Sequence, residues 1–306
     1  MAAIDDILQK VLDAVPFELS LEDGPEAARA SFRNLPRRPG NPDVRAEDVA
    51  IDGPAGDLSL RIYTPPGAGT GSPVVLFVHG GGFVVGDLDT YDSVARDHAV
   101  GADAVVVAVD YRLAPEHPFP AAPDDVWAAL QWVAANASSF GADSGRLAVA
   151  GDSAGGNLAA GAALRARDAG LALAFQLLWY PSVVWDTSLP SFTENAHAPI
   201  LTTAAVAAFS SAYARHVDLA EAPAILIPGR AELAGVAPAF VAVAGHDPLR
   251  DDGVRYAELL AAAGVPVGVE VASDMVHGFI AYNGVVPAAT AATGRGLAAL
   301  RASLHD

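Results

Sequence analysis

Apolar and polar positions follow each other along the 306-residue chain in a pattern that predicts strands and helices in turn. Residues 58–63 alternate with period two, as in a half-buried strand, and we expect residues 49–51 to pair with them across a Gly-rich turn. Continuous β-branched runs at 74–78 and 104–109 are typical of strands buried on both faces. We also predict helices over 123–137, 154–169, 251–263 and 287–304, and strands over 146–151, 174–180, 239–245 and 265–271. This alternation indicates an α/β protein whose mostly parallel central sheet is flanked by helices.

Two segments interrupt this alternation of predicted strands and helices. Residues 1–45 begin with an apolar stripe of helical spacing and then become irregular. Residues 185–225 are polar at first and then helical through 202–215. We expect 1–45 to be an N-terminal cap segment and 185–225 a cap insertion. The core then consists of 46–184 and 226–306.

Residues 151–155, Gly-Asp-Ser-Ala-Gly, carry the strongest candidate chemistry in the chain. The pentapeptide fits Gly-x-Ser-x-Gly, the pattern of a nucleophilic serine on a sharp turn between a strand and a helix. A predicted strand precedes it and a predicted helix follows it. Ser153 is therefore expected at the carboxyl end of a strand, where open α/β sheets bind ligands.

A serine nucleophile needs a general base, and the base needs a carboxylate that orients it. On sheets of this kind the order along the chain is Ser, then Asp or Glu, then His. Asp247 follows a predicted strand and is the expected acid. Asp251 and Asp252 are its alternatives, although acids in the first turn of a helix often serve only the helix dipole. His277 follows the last predicted strand and is the expected base, because the other downstream histidine, His305, lies next to the last residue.

Catalysis also requires donors for the oxyanion that forms on the carbonyl oxygen. Residues 78–83, Val-His-Gly-Gly-Gly-Phe, follow a predicted buried strand and form an HGGG-type motif. Successive glycines let backbone N–H groups approach a developing negative charge. The expected donors are the N–H groups of Gly81, Gly82 and Ala154. A phosphate-binding loop is the alternative, but the glycine spacing does not match the G-x-G-x-x-G pattern that opens a helix.

Three polar residues near these motifs are expected to be structural. Asp152 would cap a local turn, with polarisation of the site as the alternative. Glu116 and His117 lie in a Pro-rich loop, and their alternative role is support of the oxyanion loop.

Composition narrows the classes of function. A net charge of −18 argues against nucleic acid as a partner and against binding to anionic membranes. No uninterrupted apolar stretch of about 18 residues predicts a transmembrane helix. The 306 residues contain no cysteine, which excludes disulfides and thiolate chemistry. There is no His-Glu-x-x-His or similar ligand cluster, so neither a metal nor another cofactor is expected. Acidic residues near Met1 argue against a secretory signal, and the cytoplasm is the expected location.

These motifs together resemble those of the hormone-sensitive-lipase-like family of α/β-hydrolases, whose bacterial members are mainly carboxylesterases. The segments that carry the resemblance are HGGGF at 79–83, DYRLAPEHPFPAA at 110–122, GDSAGGNLA at 151–159, DPLRDDG at 247–253 and HGF at 277–279. The resemblance implies the α/β-hydrolase fold with a helical cap, a triad of Ser153, Asp247 and His277, and an oxyanion hole in the HGGG loop. Many members dimerise through the sheet edge near their last strands, so the resemblance also allows a homodimer of this chain.

The expected activity is that of a cofactor-free serine carboxylesterase on short- to medium-chain esters. The cap departs from the family pattern, because an Ala-rich stretch stands at 204–213 where members often carry a Trp-rich helix. Candidate substrate-binding residues, each with simple packing as its alternative, are Phe83, Val184, Trp185, Phe209 and Tyr213. Other functions stay open: a catalytically silent small-molecule binding protein on the same fold, a long-chain lipase, and an amidase or lactonase using the same triad.

Overall fold

The computed structural model describes residues 2–306, which form a single central sheet with helices on both faces. The strands are β1 (Arg45–Gly53), β2 (Gly56–Thr64), β3 (Ser72–Val78), β4 (Val105–Val109), β5 (Ala142–Asp152), β6 (Phe175–Trp179), β7 (Ala239–His246) and β8 (Val267–Val276). Their order across the sheet is β1-β2-β4-β3-β5-β6-β7-β8. β2 runs antiparallel to β1 and to β4, whereas the pairs from β4 through β8 are parallel. The predicted mostly parallel sheet is confirmed.

The helices divide between the two faces of this sheet. They are α1 (Asp6–Ala14), α2 (Pro25–Arg33), α3 (Asp92–Ala102), α4 (Ala121–Asn136), α5 (Ala154–Ala169), α6 (Pro190–Glu194), α7 (Thr203–Ala214), α8 (Arg250–Ala262) and α9 (Pro287–His305). Helices α4, α5 and α8 share one buried apolar cluster with the sheet. Helices α1, α3 and α9 share the other. Since both faces are covered, β4 and β6 are buried along their whole length, as continuous apolar runs require.

Helix α3 and strand β8 are among the elements that differ from the prediction. Helix α3 joins β3 to β4 as the crossover that two parallel neighbours need, yet its Asp92, Arg96 and Asp97 gave no clear apolar stripe in the sequence. Strand β8 continues to Val276 rather than ending near 271, because it pairs with β7 through a register shift after Ala244.

The two segments expected to form a cap are joined to each other. Glu18 and Ile200 form a parallel β-bridge, and the N–H of Leu19 donates to the carbonyl oxygen of Ile200 at 2.8 Å. The Thr202 hydroxyl donates to the Glu18 carboxylate at 3.2 Å. Residues 17–19 and 200–202 therefore hold one another by main-chain and side-chain bonds.

Residues 2–306 lack two kinds of feature. No helix there combines the length and the apolar character needed to cross a membrane. Nor do those residues contain three or more His, Cys, Asp or Glu side chains grouped so as to hold a metal ion.

Candidate active site

Ser153 is the single residue between β5 and α5. Its backbone has φ 54° and ψ −118°, in a region that residues with a side chain rarely adopt. The N–H of Ser153 donates to the carbonyl oxygen of Trp179, at the end of β6, over 2.8 Å. A Cβ at Gly151 would lie 2.3 Å from the carbonyl oxygen of Gly155, so only glycine fits there. Ser153 thus stands on the sharp strand-to-helix turn that its motif predicts.

The hydroxyl of Ser153 begins a chain of hydrogen bonds. Its Oγ lies 2.9 Å from Nε2 of His277, and Nδ1 of His277 lies 2.7 Å from Oδ2 of Asp247. The other carboxylate oxygen of Asp247 accepts the N–H of Leu249 at 2.8 Å. Asp247 directly follows β7 and His277 directly follows β8, so parallel pairing of these strands brings both residues to one edge of the sheet. The structure therefore brings Ser153, His277 and Asp247, the three expected triad residues, within hydrogen-bond distance in that order.

The glycine loop after β3 lies beside the nucleophile turn. A Cβ at Gly155 would meet the carbonyl oxygen of Val78 at 2.1 Å, so α5 starts in direct contact with the end of β3. Gly81 and Gly82 have φ of 104° and 60°. Within residues 2–306, no acceptor takes the N–H of either glycine. Ala154 is the first residue of α5, where an N–H group has no acceptor inside its own helix. Three N–H groups are thus free to bind a negatively charged oxygen.

Asp152 links the glycine loop to the nucleophile turn. Its Oδ1 accepts the N–H of Gly80 at 2.8 Å, and its Oδ2 accepts the hydroxyl of Tyr91 at 3.1 Å. Burial raises the pKa of the Asp152 carboxyl to about 7, although the bond from Gly80 opposes that rise. The expected role as a local turn cap was too narrow, since Asp152 binds two segments that are distant in the sequence.

Comparison with known proteins places this geometry in a family. A family model described as the alpha/beta hydrolase fold matches residues 75–281. The chain belongs to this family. The resemblance to hormone-sensitive-lipase-like α/β-hydrolases is thereby confirmed, together with the fold.

Named relatives of this α/β-hydrolase are similar over nearly their full length. The protein named esterase LipI of Mycobacterium tuberculosis (strain ATCC 25618 / H37Rv) is 64% identical, over 99% of this chain and 96% of its own. Carboxylesterase NlhH of the same organism and strain is 53% identical, over 99% of this chain and 97% of its own. Among solved structures, that of DphMB1 has a TM-score of 0.97 and 62% identity, covering 99% of this chain and 100% of the other.

A mainly apolar cavity of about 430 Å³ opens onto the nucleophile of this α/β-hydrolase. Ser153, His277 and Gly81 line its reactive end. Its apolar wall comes largely from the N-terminal segment and from the chain after His277, and includes Val11, Val15, Phe17, Leu19, Phe32, Ile200 and Ile280. The volume falls within the range of about 300–1,000 Å³ that is usual for small-molecule sites.

The lining of this cavity contains none of the five residues predicted to bind substrate, namely Phe83, Val184, Trp185, Phe209 and Tyr213. The rings of Phe83 and Tyr213 stack with their centroids 3.8 Å apart. Phe209 packs over Gly82, where a Cβ would lie 2.3 Å from its ring. The N–H groups of Val184 and Trp185 both donate to the carboxylate of Asp252, at 2.8 Å each. For all five residues, the observed contacts are those of packing and loop anchoring.

Other polar residues hold the chain around the site. Asp252 is fully buried and also accepts the N–H of Val183; burial raises its pKa to about 6. Asp251 accepts the N–H of Ser191 at 2.9 Å. Both former alternatives to Asp247 therefore anchor residues 183–191 to α8. Asn195 was missed by the sequence analysis; its amide donates to the Asp247 carbonyl oxygen at 3.0 Å.

Proposed function

We infer that this α/β-hydrolase is a serine carboxylesterase that cleaves short- to medium-chain carboxylic esters through an acyl-enzyme. The observation that carries the inference is the unbroken path from Ser153 Oγ through His277 to Asp247, with distances of 2.9 and 2.7 Å. Relatives named esterase and carboxylesterase support the reaction class. The cavity beside Ser153 supports an ester with an apolar arm.

Acylation begins when Ser153 Oγ attacks the ester carbonyl carbon while His277 Nε2 takes the hydroxyl proton. Asp247 keeps the proton on Nδ1 of His277, so that Nε2 is free to accept, and it stabilises the imidazolium that results. The negative charge on the carbonyl oxygen is bound by the N–H groups of Gly81, Gly82 and Ala154. Losing one such donor typically raises a barrier by about 2.7–4 kcal/mol. The C–O bond then breaks, and His277 gives its proton to the departing alcohol.

Deacylation repeats these steps with water as the nucleophile. His277 takes a proton from water as the oxygen attacks the acyl carbon, and the same N–H groups hold the second oxyanion. His277 then returns the proton to Ser153 Oγ, which releases the carboxylic acid. Throughout both steps the proposed cap, residues 1–45 and 185–225, covers the site, and its N-terminal part supplies much of the apolar cavity wall.

The test is hydrolysis of p-nitrophenyl esters over a series of acyl lengths, with Ser153→Ala as the control. We expect a maximum at short or medium acyl chains. In Ser153→Ala turnover should disappear, because the hydroxyl is the nucleophile, while circular dichroism shows an unchanged fold.

Other outcomes would select the competing functions. A maximum at long chains would identify a lipase. Folded parent protein with no turnover, and no covalent labelling by an organophosphonate, would indicate a silent binding protein. Activity of Ser153→Ala near the parent rate would overturn the mechanism.

A further inference from the structure

Arg29, on α2 of the N-terminal segment, forms hydrogen bonds with the backbone next to the glycine loop. Its Nε donates to the carbonyl oxygen of Val84 at 2.8 Å, and its Nη2 donates to that of Ala114 at 2.9 Å. The guanidinium also pairs with the carboxylate of Glu116 at 2.9 and 2.5 Å. The side chain of Arg29 is only 18% exposed, whereas that of Glu116 is 49% exposed, so one mostly buried guanidinium joins two backbone carbonyl groups to a carboxylate at the surface.

The two carbonyl groups that Arg29 binds belong to the backbone around the oxyanion donors. The N–H groups of Val84 and Val85 both donate to the carbonyl oxygen of Gly81, at 3.1 and 2.9 Å. The N–H of Ala114 donates to the carbonyl oxygen of Phe83 at 2.8 Å. Arg29 therefore binds the turn 81–85 directly, through Val84, and indirectly, through Ala114 in the loop after β4.

Glu116 keeps this guanidinium in place across the pH range of an enzyme assay. The bond from Arg29 is the main cause that lowers the pKa of the Glu116 carboxyl to about 2. Only arginine has the planar fork that serves several fixed acceptors at once, whereas lysine offers a single ammonium group. The alternative role predicted for Glu116, support of the oxyanion loop, thus has a structural route through Arg29.

We propose that Arg29 is a positioning residue for the reaction, which holds the N–H groups of Gly81 and Gly82 where the oxyanion forms. The proposal rests on the ester hydrolysis proposed above. Arg29 touches no reacting atom, so its effect passes through the turn 81–85. The competing explanation is that Arg29 only fastens α2 to the core.

Arg33 offers a matched control for that explanation. It lies one turn further along α2 and also pairs with a core carboxylate, that of Asp87, at 3.0 Å. The Arg33 side chain is 62% exposed, and the partner of its Nε is a side chain rather than the backbone of the turn 81–85. Arg33→Met therefore removes a link between α2 and the core while leaving the glycine loop supported.

The experiment compares Arg29→Met and Arg33→Met in the hydrolysis of p-nitrophenyl butyrate by the full chain. Rates are divided by the concentration of sites titrated with an organophosphonate, so that misfolded protein does not count. We expect Arg29→Met to lower kcat by about tenfold or more, because even a small displacement of catalytic groups costs up to about 10²-fold. Its KM should stay within twofold of the parent value, and Arg33→Met should match the parent in both constants.

A trifluoromethyl ketone provides a second measurement, since it forms an oxyanion on Ser153. Its affinity should fall in Arg29→Met by the same factor as kcat/KM. In Glu116→Gln the amide oxygen can still accept a bond from Arg29, so we expect the bonds to Val84 and Ala114 to persist and kcat to remain within about threefold of the parent.

Several results would overturn the proposal. One is equal kcat per titrated site in Arg29→Met, Arg33→Met and the parent; another is unchanged affinity of Arg29→Met for the ketone. If Arg29→Met does not fold, Arg29→Lys decides the matter: a lowered kcat with unchanged KM supports positioning, and an unchanged kcat refutes it. An inactive parent would instead refute the proposed function itself, and this inference with it.

Discussion

Asp152 is a buried carboxyl group whose neighbours are two hydrogen-bond donors, the N–H of Gly80 and the hydroxyl of Tyr91. Both donors favour the ionised form, yet burial dominates and raises the pKa to about 7. The folded protein therefore keeps a proton on Asp152 at pH values where the unfolded chain, with a pKa of about 3.9, has lost it. The stabilising effect of this proton is complete below about pH 4 and is lost as the pH rises through 7.

Asp152→Asn removes this titration and keeps an oxygen that can accept the N–H of Gly80. We expect the free energy of unfolding of the parent, relative to the variant, to fall as the pH rises from 5 to 8. Urea unfolding at pH 5, 6, 7 and 8 measures that difference. Parallel pH profiles of the two proteins would contradict the raised pKa of Asp152.

The sequence was informative about residues whose chemistry depends on chain order or on a local motif. Ser153 has a motif around it, and the order Ser, Asp, His, together with a place directly after a predicted strand, then favours Asp247 and His277. Neither a local motif nor chain order points to Tyr91, because its hydrogen bond to Asp152 joins positions 61 residues apart. A partner of this kind can be recognised only when the fold brings the two segments together.

At the scale of elements, the contact between α5 and β3 sets the position of the Ser153 turn relative to the glycine loop. Gly155 permits that contact, because a Cβ there would lie 2.1 Å from the Val78 carbonyl oxygen and 2.4 Å from that of His79. Both atoms belong to the backbone, so a side chain at this position cannot be accommodated by a rotamer change. The start of α5 and the end of β3 would have to move apart.

Gly155→Ala should therefore lower both stability and activity. Overpacking of a tight interior typically costs about 1–3 kcal/mol, and the shift of α5 would separate Ala154 from the other oxyanion donors. Gly294→Ala in α9 is the matched control, since no atom lies within 4 Å of its added Cβ. There alanine should stabilise the helix by up to about 1 kcal/mol. Thermal unfolding and kcat measure both effects, and equal melting temperatures for the two variants would contradict the close contact.

Elements with continuous apolar runs, such as β3 and β4, were predictable from sequence, whereas α3 was not. The buried residues of α3 are interspersed with charges that bind the N-terminal segment, as Arg96 does through the carbonyl oxygen of Asn41 at 3.0 Å. The polar face of α3 thus packs against the N-terminal segment instead of facing solvent. Its sequence therefore lacks the simple division into an apolar and a charged face that marks an amphipathic helix.

The whole molecule carries a net charge of −18, from 36 acidic and 18 basic residues. Most of the arginines already form ion pairs with Asp or Glu on the surface. The remaining negative charge repels itself in the folded state more than in an expanded chain. Each exposed ion pair contributes little to the free energy of unfolding. We therefore expect the net repulsion to determine how stability changes with salt concentration.

We expect the melting temperature to rise by a few degrees as NaCl increases from about 0.01 M to about 0.3 M. At the higher concentration the Debye length is less than about 10 Å, so the repulsion between distant negative charges is screened. Differential scanning calorimetry at fixed pH measures the change, with KCl as a check that it does not depend on the cation. A falling melting temperature would mean that the ion pairs outweigh the repulsion. Homodimerisation and a cytoplasmic location stay predictions.

Much of the cavity wall comes from a part of the chain that is distant in sequence from the catalytic residues. Residues 11–38 supply much of the wall, and Ser153 and His277 stand at the reactive end. Under the proposed function, much of the selection of the ester thus depends on a stretch of the chain that holds none of the catalytic residues. Substitutions within residues 11–38 can therefore change the substrate range without touching the catalytic groups. Exchanging this stretch between relatives offers a direct way to transfer substrate preference.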